Sequence, residues 1–113
     1  MAKTFGEYQA EMLRTCIHPR GNRDSTSLTW DALGVAGEAG EVADLVKKVV
    51  FHGHPLDVDK LKAEMGDVLW YLASLCNTLG IDLADVAEAN IEKLKKRYPH
   101  GWDPQRSQQR GGE

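Results

Sequence analysis

Two acidic pairs constrain this chain more than any other feature: Glu38-Ala-Gly-Glu41 and Glu64-Met-Gly-Asp67. Each pair is spaced i, i+3, so on a helix both carboxylates project from one face. Like charges at that spacing repel by a few tenths of a kcal/mol, roughly, per pair. Between the pairs lies Phe51-His-Gly-His-Pro-Leu-Asp57, which reads as a turn. If the flanking helices run antiparallel, the pairs stand about 16 and about 11 Å from the turn, within about one helical turn of each other. Glu38, Glu41, Glu64 and Asp67 then converge on one spot.

Four oxygen ligands without Cys or His suit a hard cation, Mg²⁺ or Mn²⁺. Such an ion, completed by water and substrate phosphates, is usual at phosphoryl-transfer sites. The plainer reading is a solvated acidic face. Gly37, Gly40 and Gly66 beside the acids weigh against it. Each glycine costs about 1 kcal/mol relative to alanine inside a helix. Their presence suggests that a helix or a ligand approaches the backbone closely.

The chain reads as helical throughout. A first helix runs from Thr4 to about Ile17, with Thr4 and Glu7 as a capping box, and Pro19 and Gly21 end it. Asn22 to Ser27 is loop-like. A second helix starts at Ser27 or Thr29 and runs to about Val50, where Gly53 and Pro55 stop it. Asp57 caps a third helix, Val58 to about Leu79, closed by Gly80. Asp82 caps a fourth, Leu83 to about Arg97. Val68-Leu-Trp-Tyr-Leu-Ala73 is apolar all round, so that stretch must be buried all round. Four helices of this length cannot easily surround one of their own, which predicts burial against a second subunit. The fold class is therefore all-α: an antiparallel bundle of about four helices, completed by oligomerisation. Residues 1–103 form the domain. Residues 104–113 form a tail, and Gln105 to Glu113, which lacks apolar residues, is expected to be disordered.

A chain of 113 residues is one domain of ordinary size. Its net charge of −3 argues against a general nucleic-acid binder. Cys16 and Cys76 have neither metal-ligand nor redox spacing and read as reduced thiols of a cytoplasmic protein. Neither a signal peptide nor a membrane-spanning apolar run is seen.

The acidic pairs, with their spacer, are similar to the signature of the MazG-type nucleotide pyrophosphohydrolases. These belong to the all-α nucleoside-triphosphate pyrophosphatase group, which includes dimeric dUTPases. The resemblance runs from about Leu28 to Trp102. It includes Glu64-Met-Gly-Asp-Val-Leu-Trp-Tyr71, Leu79-Gly-Ile-Asp-Leu83 and Asn90-Ile-Glu-Lys-Leu-Lys-Lys-Arg-Tyr-Pro99. It implies hydrolysis of a (deoxy)nucleoside triphosphate to the monophosphate and pyrophosphate, with Glu38, Glu41, Glu64 and Asp67 holding Mg²⁺. Glu38 or Glu41 is the candidate proton acceptor. The implied role is clearing unwanted or excess nucleotides, by a homo-oligomer that is a dimer or a tetramer.

Substrate contacts are read partly from the residues and partly from the resemblance. Asn90 is polar on an apolar stripe and needs hydrogen-bond partners if buried. Lys93 and Arg97 share its helix face and are suited to phosphate oxygens, or to the negative end of their own helix. The resemblance places Asn90 and Lys93 near the nucleotide. Tyr71, one turn after Asp67, and Trp30 each suit either base stacking or the core. Two other classes stay open. A di-iron carboxylate bundle normally needs Glu-x-x-His pairs, and the chain has none. A non-catalytic helical interaction module would not need four intact acids.

Overall fold

The computed structural model describes residues 3–109. Among these there are five helices and no strand, as the all-α reading requires: α1 (Phe5–Met12), α2 (Ser25–His52), α3 (Val58–Leu79), α4 (Leu83–Arg97) and α5 (Pro104–Gln109). They form two compact units, one ending at Leu83 and one beginning at Ala84.

In the first unit, local chemistry sets the helix ends. Thr4 and Glu7 form the capping box, with Thr4 Oγ1 accepting from Glu7 N at 3.1 Å and Glu7 Oε1 from Thr4 N at 2.9 Å. α1 stops at Met12, short of the expected Ile17. Beyond it the chain tightens into i→i−3 turns, and the Thr15 hydroxyl donates back to the Met12 carbonyl at 3.1 Å. Asp24 caps α2 by accepting from Ser27 N at 2.8 Å, so this helix begins two residues earlier than Ser27. Gly53 (φ 71°) and Gly80 (φ 76°) end α2 and α3 in the left-handed conformation that glycine adopts without strain. Asp57 caps α3 as expected. Asp82, expected to cap α4, pairs instead with Arg20 at 2.9 Å, and the Leu83 amide donates to Gln9 Oε1 of α1 at 2.7 Å.

α2 and α3 form an antiparallel hairpin. Asp31 meets Ser74, the Tyr71 ring lies against Gly34, and Glu38 meets Asp67. Each step of three or four residues along α2 is matched by an equal step backwards along α3. α1 crosses α3, where Met12, Ala73, Cys76 and Leu83 form the buried core and Tyr8, Cys16, Leu69 and Trp70 pack around it. Trp70 is thus a core residue, and its indole donates to Thr15 Oγ1 at 2.9 Å. The interior is unusually polar: Asp31, Ser74 and Thr78 are each 0% exposed.

In the second unit, Tyr98 and Trp102 pack their rings 5.2 Å apart. Gln105 to Glu113 was expected to be disordered, yet Pro104–Gln109 forms a short helix. Asp103 accepts from the Gln105 amide, and the Arg106 guanidinium donates to the Lys96 and Arg97 carbonyls at the end of α4. Composition alone does not register such local capping. Residues 110–113 of the expected tail lie outside the described residues.

Candidate active site

The hairpin register brings Glu38, Glu64 and Asp67 together. One oxygen from each lies within 4.8 Å of the other two. Glu38 and Glu64 are half-buried and Asp67 is exposed. Glu41 stands outside this cluster. Three residues turn a helix by about 300°, so Glu38 and Glu41 point about 60° apart. Glu41 still acts at a distance: its charge is felt at Glu38 and at Lys48.

Among the described residues, none of the four carboxylates makes a side-chain hydrogen bond or an ion pair. The nearby lysines are engaged elsewhere, Lys47 with Asp44 at 3.0 Å and Lys48 with Asp44 at 2.9 Å. These bonds lower the Asp44 carboxyl to about 2. Glu38 moves the other way. Partial burial, and then the charges of Asp67, Glu64 and Glu41, raise it above the ordinary carboxylate range. An acidic group without a cation, built from hard oxygen donors, is chemically matched to a divalent metal ion.

The remaining candidates are distributed as follows. Trp30 is 51% exposed on α2, its ring edge-on to His18 at 5.6 Å, and so presents a free aromatic surface. Tyr71 is half-buried, edge-on to Trp70 at 5.1 Å and seated on Gly34. Asn90 and Lys93 are exposed on α4, and Arg97 is half-buried near its end. His52, the last residue of α2, and His54, in the turn that follows it, are both exposed. Gly37, Gly40 and Gly66 have nothing within 4 Å of where a Cβ would stand, so among the described residues no other element approaches them closely.

Two residues of the hairpin escaped the sequence reading. Gly34 is the glycine where close approach occurs. Asp31 is a fully buried carboxyl that accepts from Ser74 Oγ at 2.6 Å and Thr78 Oγ1 at 2.7 Å. The available signal was an acid inside an otherwise apolar stretch of α2, opposite two hydroxyls spaced i, i+4 on α3.

The hairpin is that of an all-α protein whose antiparallel helices gather three carboxylates, a donor set of the kind that suits a divalent metal ion. The model of the MazG nucleotide pyrophosphohydrolase domain matches residues 28–102, and the chain belongs to that family of hydrolases. The chain is 39% identical over 100 residues to the Gene 37 protein of Mycobacterium phage L5, covering 83% of this chain and 88% of that protein. It is 36% identical over 72 residues to the uncharacterized protein YvdC of Bacillus subtilis (strain 168), covering 56% of this chain and 68% of that one. No solved structure matches it significantly. Among the described residues, no helix is long and apolar enough to cross a membrane.

Proposed function

We propose that this protein hydrolyses a nucleoside or deoxynucleoside triphosphate to the monophosphate and pyrophosphate, using Mg²⁺ or Mn²⁺. The observation that carries the reading is the uncompensated group of Glu38, Glu64 and Asp67, with oxygens within 4.8 Å of one another, in a chain of the MazG family. These three residues, with Glu41 beside them, would hold the metal. When bound, it would offset phosphate charge and acidify water. Glu38 or Glu41 accepts the proton from the attacking water, the role of a positioned carboxylate. Trp30 and Tyr71 are the proposed base contacts, and the exposure of Trp30 favours it as the stacking surface. Asn90, Lys93 and Arg97 are the proposed polar and phosphate contacts. They lie on one face of α4, and a guanidinium and an ammonium are the usual partners of phosphate oxygens.

The active form is proposed to be a homo-oligomer, a dimer or a tetramer. Large apolar side chains on the hairpin stay exposed in the single chain, among them Leu33 at 67%, Val50 at 65% and Met65 at 56%. Two free thiols, Cys16 and Cys76, fit a reducing compartment, and a cytoplasmic role in removing unwanted nucleotides completes the proposal.

The test is a panel of canonical and modified triphosphates, with and without Mg²⁺, with products resolved as pyrophosphate or phosphate. Magnesium-dependent pyrophosphate release is the expected result. Release of phosphate alone, or no turnover of any nucleotide, would overturn the reading.

A further inference from the structure

Resting on the reading of the acid cluster as a metal site, we propose that Asp31 is a positioning residue for it: its clamp on Ser74 and Thr78 sets the axial register of α2 against α3, and that register brings Glu38 to Glu64 and Asp67.

The hairpin is tethered at one end by the short connection from Gly53 to Asp57. Asp31 lies near the other end of the α2–α3 contact, seven residues before Glu38, or about 10.5 Å along the helix. Between tether and clamp, little else is directional. The acids repel one another, and among the described residues no side chain stands where a Cβ at Gly37, Gly40 or Gly66 would reach it. Apolar contacts do not specify direction. The seat of Tyr71 on Gly34 permits close approach, but a ring on a bare backbone tolerates sliding.

Asp31 is different. Its carboxyl is 0% exposed, and each oxygen accepts one hydroxyl, at 2.6 Å from Ser74 and 2.7 Å from Thr78. Ser74 and Thr78 are i, i+4 on α3, so the carboxyl is gripped across a full turn. A slip of one turn moves it by about 5.4 Å and leaves a buried polar group without partners, which is strongly disfavoured. Ser74 Oγ also lies 3.7 Å from Cys16 Sγ, and Asn77 Nδ2 donates to the His18 carbonyl at 2.8 Å, so the same turn of α3 holds the chain that follows α1. Burial of a polar group to fix register, at no gain in stability, is the best-attested use of such groups.

The experiment compares wild type, Asp31→Asn, and the apolar triple variant Asp31→Leu/Ser74→Ala/Thr78→Val. Each is measured by melting curve and by Mn²⁺ affinity of the folded protein. Asn keeps both contacts, as acceptor to one hydroxyl and donor to the other, so its Mn²⁺ affinity stays within about threefold of wild type. The triple variant should melt near wild type, because apolar replacement of a buried polar group is often neutral. Its Mn²⁺ affinity should nevertheless fall at least about tenfold, since misplaced supporting groups typically cost roughly ten- to a hundredfold in metal binding. A folded triple variant that binds Mn²⁺ like wild type overturns the proposal. If the triple variant does not fold, Ser74→Ala and Thr78→Ala decide singly. Weakened Mn²⁺ binding in the folded single variants supports the clamp, and unchanged binding overturns it. A wild type that binds no Mn²⁺ would remove the metal-site reading itself, a result distinct from the loss of the register proposal alone.

Discussion

The ring of Tyr71 occupies the space where a side chain at Gly34 would begin: a Cβ there would stand 2.1 Å from Cδ1 and 2.6 Å from Cγ. Because Cγ lies at the root of the ring, rotation of Tyr71 alone does not relieve the overlap. Gly34→Ala should therefore cost about 1 to 3 kcal/mol through overpacking, despite the better helix propensity of alanine. The double variant Gly34→Ala/Tyr71→Ala should cost less than the sum of the single changes. Melting curves of the four proteins test this, and simple additivity would mean that the two positions do not meet.

Neutralising an acid joins stability to function. Glu64→Gln and Asp67→Asn remove charge from a group that folding brings together. Without metal, each variant should be at least as stable as wild type. Stabilisation by Mg²⁺ should shrink, because a ligand that binds only the folded state acts by mass action. Pyrophosphate release should drop by roughly a hundredfold or more. Glu41→Gln should give the smaller gain in metal-free stability, since Glu41 lies outside the tight cluster. Glu11→Gln and Glu88→Gln serve as controls and should change none of these quantities. Wild-type turnover in the Glu64 and Asp67 variants would dismiss the metal site.

Much of this geometry was legible in the sequence, because capping is local. Asp57 and Gly80 bound α3 where their chemistry says they should. The acidic pairs and the turn between them placed the two pairs within about one helical turn of each other, and Glu38, Glu64 and Asp67 do meet, whereas Glu41, expected to converge with them, does not. What escaped depends on facing, which period and spacing do not resolve. Close approach was read at Gly37, Gly40 and Gly66 and occurs at Gly34, because only the register says which glycine meets the partner helix. Asp31 reads as a surface acid until its partners, 43 and 47 residues away, are known. α1 ends early because Thr15 bonds back to Met12, a competition between side chain and backbone that periodicity overlooks.

The raised carboxyl of Glu38 gives a pH dependence with a definite sign. Burial and three neighbouring acids lift it above its ordinary value of 4.5, so the metal-free folded protein holds that proton more tightly than the unfolded chain. Stability then falls as pH rises from the ordinary value through the raised one. Glu38→Gln lacks this titration. Its stability relative to wild type should therefore grow as pH rises above the ordinary value of 4.5, measured in chelator by thermal melting. A difference that stays flat with pH would show that Glu38 does not feel the cluster. Asp44, lowered to about 2, works in the opposite sense and loses its contribution only in stronger acid.

Removal of residues 104–113 tests the capping of α4. Arg106 donates to the carbonyls of Lys96 and Arg97, and a cation at a helix C-terminus contributes about 0.3 to 1 kcal/mol. Truncation after Asp103 should leave the main melting transition nearly unchanged, because little apolar surface is lost. Hydrogen exchange should report the change: the Tyr98 amide, bonded to the Leu94 carbonyl at 2.8 Å, should exchange several-fold faster. Arg106→Ala should reproduce that effect. Unaltered exchange in both variants would show that the cap contributes nothing in solution.

Assembly is the prediction on which the fold's completeness depends. One face of the hairpin is an open groove lined by Ala39, Val42, Lys62, Met65, Gly66, Val68, Leu69 and Leu72. Lys62 is its one charged residue, and Leu72 is 38% exposed within the run that leaves α3 no polar side. Burying side chains of this size yields about 1.5 to 3 kcal/mol each, so a partner helix on this face would be held firmly. Gly66 in the middle would allow its backbone to come close, which gives a reason for a helix-weakening residue whose missing Cβ would meet none of the described residues. Sedimentation in dilute buffer should therefore show a dimer or a larger oligomer. Leu72→Lys places a charge in the groove without adding negative charge near the acids. It should shift the protein toward monomer, lower its melting temperature, and make that temperature depend less steeply on protein concentration, because the association term shrinks as the dimer weakens. Wild-type protein that sediments as a well-folded monomer at micromolar concentration would sink the idea, and the exposed apolar residues of α2 and α3 would then need another explanation.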